Sequence, residues 1–327
     1  MAKGATMSEL THMLNEFQAA GEDARPLLAS DSAHLVAYGH LLASLQSIPG
    51  VTVLSTQTAH GIEARVDVEA GVQVAQPVHL CFGLLDPRGV QNVQLDLVLH
   101  AGAVVTVWSH CLFSAAESAK HAMQATVVIE EGAALDFQES HYHGRSGGIQ
   151  IWARAQVRLA RLARYRSDFS LLHGRVGKLD IDYTVDAGEQ SVAELLSRVY
   201  GAGTDAIRIR ERVELNGESA RAVVKSRVAV RDDATAEIIG ATFGNAAYTR
   251  GHVDCVEIVR DRAVASAVPE VRVTHALAKV THEAAIGSVD TRQLETLMAR
   301  GIDPDQAVDI LVRGMLSPRQ SPGHMAP

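Results

Sequence analysis

The chain has 327 residues, 47 % of them hydrophobic and only 4 % aromatic, with a formal net charge of −8. That length suits one large domain or two ordinary ones, and an apolar load carried by Val, Ala, Leu and Ile fits β-layers better than a core built on large rings. The acidic balance, with no Lys/Arg run, argues against a nucleic-acid surface, and no stretch of about 18 uncharged apolar residues is present to span a membrane.

Residues 8–46 carry a helical pattern. Leu10, Met13, Leu14 and Phe17 recur at helical spacing, as do Leu35, Tyr38, Leu41, Leu42 and Leu45. A break near Gly21–Pro26 separates the two runs, and Pro49-Gly50 ends the second, so residues 1–50 are expected to form an N-terminal helical region.

From Val51 to Val280 the period changes to two. Val66 and Val68 lead to a turn at Glu69-Ala70-Gly71; Leu97 and Leu99 lead to His100-Ala101-Gly102; Val127 and Ile129 lead to Glu130-Glu131-Gly132. Further turns of this kind lie at Asp186-Ala187-Gly188 and Leu215-Asn216-Gly217. Glycines 71, 102 and 132 are 31 and 30 residues apart, and 188 to 217 is 29. A repeat of this length marks an array. An antiparallel sandwich and a β-helix both fit; low aromatic content and near-constant spacing favour the β-helix, expected over 51–287.

The end is helical again, over 288–316. Asp290 stands at an N-cap position with Gln293 three residues on, and Gly301 follows Arg300 as a stop. Asp303-Pro304 opens a second helix, which Gly314 is expected to end. The pair reads as a cap on the core or as a docking platform. Residues 317–327 are expected to be a disordered tail.

Three cysteines, Cys81, Cys111 and Cys255, are too few and too scattered for a disulfide framework or a Cys-x-x-Cys zinc site. Cys255 lies in the alternating stretch Val253-Asp254-Cys255-Val256-Glu257, which places Val253, Cys255 and Glu257 on one strand face. Free cysteines are most often small buried hydrophobes. A thiolate, an imidazole and a carboxylate are nonetheless offered by Cys255, His282 and Glu283, a donor set suited to iron or zinc rather than to hard cations. Adjacent strand residues point to opposite faces, so His282 and Glu283 of one chain do not converge on one ion unless the site lies at a strand end or between subunits.

His141-Tyr142-His143 puts two imidazoles on one strand face, but no neighbouring Cys or third His supports a metal site there. Cys111 reads as core. Arg154 to Arg166 reads as one charged strand face. No phosphate-binding glycine loop occurs, so the chain itself is not expected to bind a nucleoside triphosphate.

The stretch Val280-Thr281-His282-Glu283-Ala284-Ala285-Ile286-Gly287, followed by Gln293-Leu294, Met298-Ala299-Arg300-Gly301-Ile302 and Ala307, resembles the C-terminal signature of the SufB/SufD family of iron–sulfur cluster assembly proteins. Gly71-Val72-Gln73-Val74, Pro77-Val78-His79-Leu80, Glu131-Gly132-Ala133 and His252-Val253-Asp254-Cys255 resemble that family's core, and the likeness covers about residues 60–316. The resemblance implies a right-handed parallel β-helix flanked by helical segments. It implies a scaffold, not an enzyme, on which a transient iron–sulfur cluster forms while a SufC-like ABC ATPase is bound.

In the family two β-helix subunits pair, and the assembly site lies at their interface. Cys255 and Glu283 match the SufB-type ligands and His282 the SufD-type ligand, so the chain carries both halves, as a homodimer requires. The cysteine-rich N-terminal motif of many SufB proteins is absent, which keeps open a SufD-like partner of a separate SufB. A purely structural β-solenoid is the other alternative. A β-helix polysaccharide hydrolase or lyase would need paired carboxylates in a groove and usually a secretion signal, and neither is visible. Leu297, Met298, Ile310 and Leu311 are the expected ATPase anchors, spaced by helical turns. A sulfur donor and apo-protein acceptors are expected as transient partners, with Cys111 a candidate sulfur relay, the cytoplasm as the location, and a flavin left open as a cofactor that no residue indicates.

Overall fold

The computed structural model describes residues 7–19, 21, 25 and 29–317. Strands β1 (His34–Tyr38), β2 (Leu41–Gln46), β3 (Val51–Thr58), β4 (Gly61–Val68) and β5 (Val78–Gly83) follow helix α1 (Met7–Ala19). Long strands then succeed one another: β6 (Arg88–Leu99), β7 (Val104–Phe113), β8 (Ser118–Ile129), β9 (Ala134–His143), β10 (Ile149–Leu159) and β11 (Arg164–His173). They continue as β12 (Lys178–Ala187), β13 (Val192–Gly201), β14 (Ala206–Leu215), β15 (Arg221–Val230), β16 (Thr235–Gly244) and β17 (Arg250–Val259). Short β18 (Val264–Ala267) and β19 (Glu270–Val273), then β20 (Lys279–Gly287), end the array before α2 (Thr291–Met298) and α3 (Pro304–Leu316).

Two parallel stacks result, β1-β5-β7-β9-β11-β13-β15-β17-β20 and β4-β6-β8-β10-β12-β14-β16-β18, with odd and even strands alternating between them from β4 to β18, so the chain winds as a β-solenoid of about eight turns. Register partners such as Val78 and Val107, Val107 and Phe137, or Val224 and Val253 lie 29 or 30 residues apart. The period-two pattern becomes physical here. In β14, Ile207, Ile209, Val213 and Leu215 point into the core while Arg208 and Arg210 alternate outward. Each such buried aliphatic side chain contributes about 1.5–3 kcal/mol.

Gly71, Gly102 and Gly132 sit at one stacked corner with φ of 72°, 70° and 68°. Each donates its N–H to the next coil, Gly71 to the Ala101 carbonyl at 2.9 Å and Gly102 to that of Glu131 at 2.9 Å. Later coils place Leu162, Gln190 and Ser219 at that corner with positive φ, so glycine is not obligatory there. Gly217 is glycine for another reason: a Cβ there would lie 1.9 Å from the Glu189 backbone nitrogen of the coil beneath.

The helical reading of residues 34–46 does not hold. β1 and β2 form an antiparallel hairpin turning at Gly39, and β1 pairs in parallel with β5, His34 opposite His79. Apolar residues at 35, 38, 41, 42 and 45 satisfy either period, and the backbone partner on β5 decides between them. With β3 antiparallel on β4, the two hairpins close the N-terminal end. Helix α1 is as expected, with Met13 and Phe17 packed on Val36, Cys81 and Leu112. The Arg154–Arg166 run is divided between β10 and β11, hence between the two sheets. Most of Gly21–Pro26, and residues 318–327 of the expected tail, lie outside the described residues.

Candidate functional site

Cys255 points inward from the middle of β17 and is 1 % exposed. Its register partners are Ser226 on β15 and Ala284 on β20. The Ser226 hydroxyl donates to Glu257 Oε1 at 3.2 Å and also hydrogen-bonds the thiol. Glu257 Oε2 has no hydrogen-bond partner among the described residues. Across the core a Cβ on Gly240 would meet Val253 Cγ1 at 2.7 Å and Cys255 Sγ at 3.5 Å, so glycine on β16 leaves the thiol its room. One coil back, the Ser197 hydroxyl donates to Glu211 Oε1 at 2.8 Å.

Burial, with the nearby Glu257, Glu211 and Asp254 carboxyls, pushes the Cys255 thiol up to about 11 against the pull of Ser226. Burial raises the Glu257 and Glu211 carboxyls to about 7. In the metal-free chain Cys255 is therefore a neutral thiol at neutral pH, and an ion binding there must displace its proton. A sulfur donor flanked by a carboxyl that titrates near neutrality can take iron or zinc. Glu257 was legible beside Cys255 from strand alternation alone. Ser226 lies 29 residues upstream, one coil away, and Glu211 belongs to the opposite sheet.

β20 runs in regular register with β17, setting His282 opposite Val253 and Glu283 opposite Asp254. His282 thus shares the inward face with Cys255 on the neighbouring strand, while Glu283 points to the outer face. There Asp254 is already bound by Arg227 Nη1 at 3.1 Å. A single chain therefore does not bring Cys255, His282 and Glu283 together. His282 and Glu283 are both exposed, because β20 is the last strand of its sheet and β18 and β19 are too short to cover it. The same open end exposes Val264 (61 %), Val268, Val271, Val273, Leu277 and Ile286 (48 %).

The two C-terminal helices start where expected. Asp290 accepts from Gln293 N at 2.7 Å and Asp303 from Asp305 N at 3.0 Å, with Pro304 at the first helical position. Gly314 does not end α3, which runs on to Leu316 because Val308, Val312 and Leu316 pack on Ala229 and Ile258, with Leu172 and Tyr200 beside them. Arg198 binds Asp168 at 2.8 Å and the Leu316 carbonyl at 3.1 Å, pinning the helix end. The helices thus lie along the flank of the odd-strand sheet, and among the described residues nothing caps the open end. Of the expected anchors, Met298 (42 %) and Ile310 (47 %) are exposed, and Leu297 and Leu311 are half-buried.

The family described as SUF system FeS cluster assembly, SufBD core domain, matches residues 85–315. The chain belongs to the SufBD family. The iron–sulfur cluster assembly SufBD family protein of Methanocaldococcus jannaschii is 32 % identical over 308 residues, covering 94 % of this chain and 98 % of that protein. A SufBD family protein of Pyrococcus horikoshii is 32 % identical over 290 residues, covering 89 % and 88 % respectively. One of Archaeoglobus fulgidus is 24 % identical over 252 residues, covering 75 % and 66 %. Membership in the SufBD family gives this solenoid a role in iron–sulfur cluster assembly. Among the described residues no helix is long and apolar enough to cross a membrane.

Proposed function

We propose that this SufBD protein is a non-enzymatic scaffold on which a transient iron–sulfur cluster is built, working in the cytoplasm as a homodimer with a SufC-like ABC ATPase. One observation carries the reading: the C-terminal end of the solenoid is open, and Cys255 lies one strand inside it. Pairing two such ends through β20 buries the exposed valines, Leu277 and Ile286, and an isologous contact duplicates every ligand. Ligands from opposite subunits answer the face problem, since His282 and Glu283 of one chain cannot serve one ion. Cys255 supplies sulfur ligation, with Glu283 and His282 completing iron coordination. ATP hydrolysis resides in the partner, docked on Leu297, Met298, Ile310 and Leu311.

The test is anaerobic reconstitution with iron and sulfide, read by metal and sulfide content and visible absorption. Cys255→Ser changes volume little, so folding by circular dichroism should be retained while the cluster is lost. A variant that assembles as much cluster as the parent would show Cys255 to be core only. Co-expression with an ABC ATPase, with and without a SufB-type paralogue, separates the homodimer from a SufD-like subunit.

A further inference from the structure

A second constellation lies deep in the solenoid, several coils before Cys255. The inward positions of β9 begin apolar, with Leu135 and Phe137, and then become Glu139, His141 and His143, all buried. Cys111 on β7 is the register partner of His141, and His121 enters from β8 on the opposite sheet. Cys111 Sγ, a Glu139 carboxylate oxygen and a His141 ring nitrogen all lie within 4.8 Å of one another. His121 Nε2 is 4.0 Å from Cys111 Sγ, and His141 Nε2 is 2.8 Å from Glu139 Oε1. Sequence reading found the two β9 histidines but not the cysteine and third histidine that stacking brings to them.

The surroundings orient these groups as ligands. The Gln91 amide nitrogen donates to the Gly39 and Gly83 carbonyls at 2.9 and 3.2 Å, which fixes Gln91 Oε1 as the acceptor for His121 Nδ1–H at 3.0 Å. His121 Nε2 is then the bare nitrogen, and it is the one facing Cys111. The Tyr183 hydroxyl donates to Glu139 Oε2 at 3.2 Å, leaving Oε1 toward the cluster, and His141 Nδ1 is 3.3 Å from His143 Nε2. Outer partners of this kind hold the tautomer and direction of metal ligands in known sites. A small cavity lined by Phe137, Glu139, Tyr165 and Tyr183 adjoins the carboxylate.

We infer that Cys111, His121, Glu139 and His141 form a buried four-ligand site for a borderline divalent transition-metal ion, zinc or ferrous iron. Thiolate, two imidazoles and a carboxylate are the tetrahedral donor set such ions take. Two anionic and two neutral ligands cancel the charge of a divalent ion, which is what a desolvated core requires. Binding releases the Cys111 thiol proton, and the His141 ring proton passes to Nδ1, facing His143. This site is separate from the one proposed at Cys255.

The experiment uses the full chain carrying Cys255→Ser, reduced and anaerobic, with Co2+ as the probe, supplied both to the native protein and during refolding. The expected result is one bound Co2+ per chain, with near-ultraviolet sulfur-to-cobalt charge transfer and the visible bands of a tetrahedral site. Cys111→Ser in that background should lose the charge-transfer band. Tyr183→Phe, which keeps all four ligands, should retain the band while affinity falls about 10–100-fold, the range for loss of an outer partner. Competition with Zn2+ and with Fe2+ then ranks the two candidates. The inference is overturned if the Cys255→Ser chain binds no Co2+ by either route, or if Cys111→Ser and Tyr183→Phe both bind it with the parent spectrum and affinity.

Discussion

Cys255 and Ala284 are partners across the last two strands of the odd-strand sheet, so one methyl group separates the thiol from the open end of the solenoid. The thiol is close to a surface without being on it. Its reactivity is therefore set by burial rather than by distance from solvent.

Alkylation of Cys255, followed by peptide mass mapping, should be slow at pH 7, where a thiol at about 11 is roughly one part in ten thousand thiolate. The rate should climb about tenfold per pH unit up to pH 10, since only the thiolate reacts. Ala284→Leu should slow it further at every pH. A plateau near pH 8.5 would mean that the thiol sits in a polar setting.

The exposed strand edge should hold the dimer. Light scattering should give the parent twice the 35.0 kDa of one chain. Ile286→Lys or Val273→Glu places like charges against each other across a two-fold contact and should weaken pairing at least about tenfold. A parent that stays monomeric at all concentrations, with or without the ATPase, removes the proposal.

Met298→Glu and Ile310→Glu alter exposed side chains, so stability should change by no more than about 0.5 kcal/mol. Affinity for the ATPase, measured by calorimetry, should drop about tenfold or more. Val308→Asp is the contrast, because it buries a charge against Ala229 and Ile258 and should detach α3. Unchanged ATPase binding by both surface variants would place the docking surface elsewhere.

Stability should fall as pH rises from about 5 to 8. Glu211 and Glu257 titrate near 7 in the folded chain against 4.5 for the free group, so between those values the folded state holds more protons than the unfolded one. Each contributes about 3 kcal/mol of stability below pH 4.5 that is lost as pH passes through 7. Glu211→Gln should flatten the denaturant midpoint against pH and be more stable than the parent at pH 8. A parent and variant with parallel profiles would show that Glu211 is not buried as a neutral acid.

Much of the fold was legible along the chain, because a strand face needs only alternation and a coil corner needs only a turn at the right interval. Val66 to Gly71, Leu97 to Gly102 and Val127 to Gly132 carry both signals. The caps of α2 and α3 were equally local, since Asp290 and Asp303 bond to nitrogens two or three residues away. The misread segment, 34–46, was one where both periods fit.

Sequence alone thus determined the β-array, its repeat length, the helix N-caps and the shared face of Val253, Cys255 and Glu257, because each needs only a local pattern. Tertiary structure alone decided which side chains meet inside it. Parallel stacking makes neighbours of residues some 30 positions apart, as with Cys111 and His141, and core closure then adds His121 from the opposite sheet. Alternation says only that a side chain points inward; the group it meets there is set by how the coils stack.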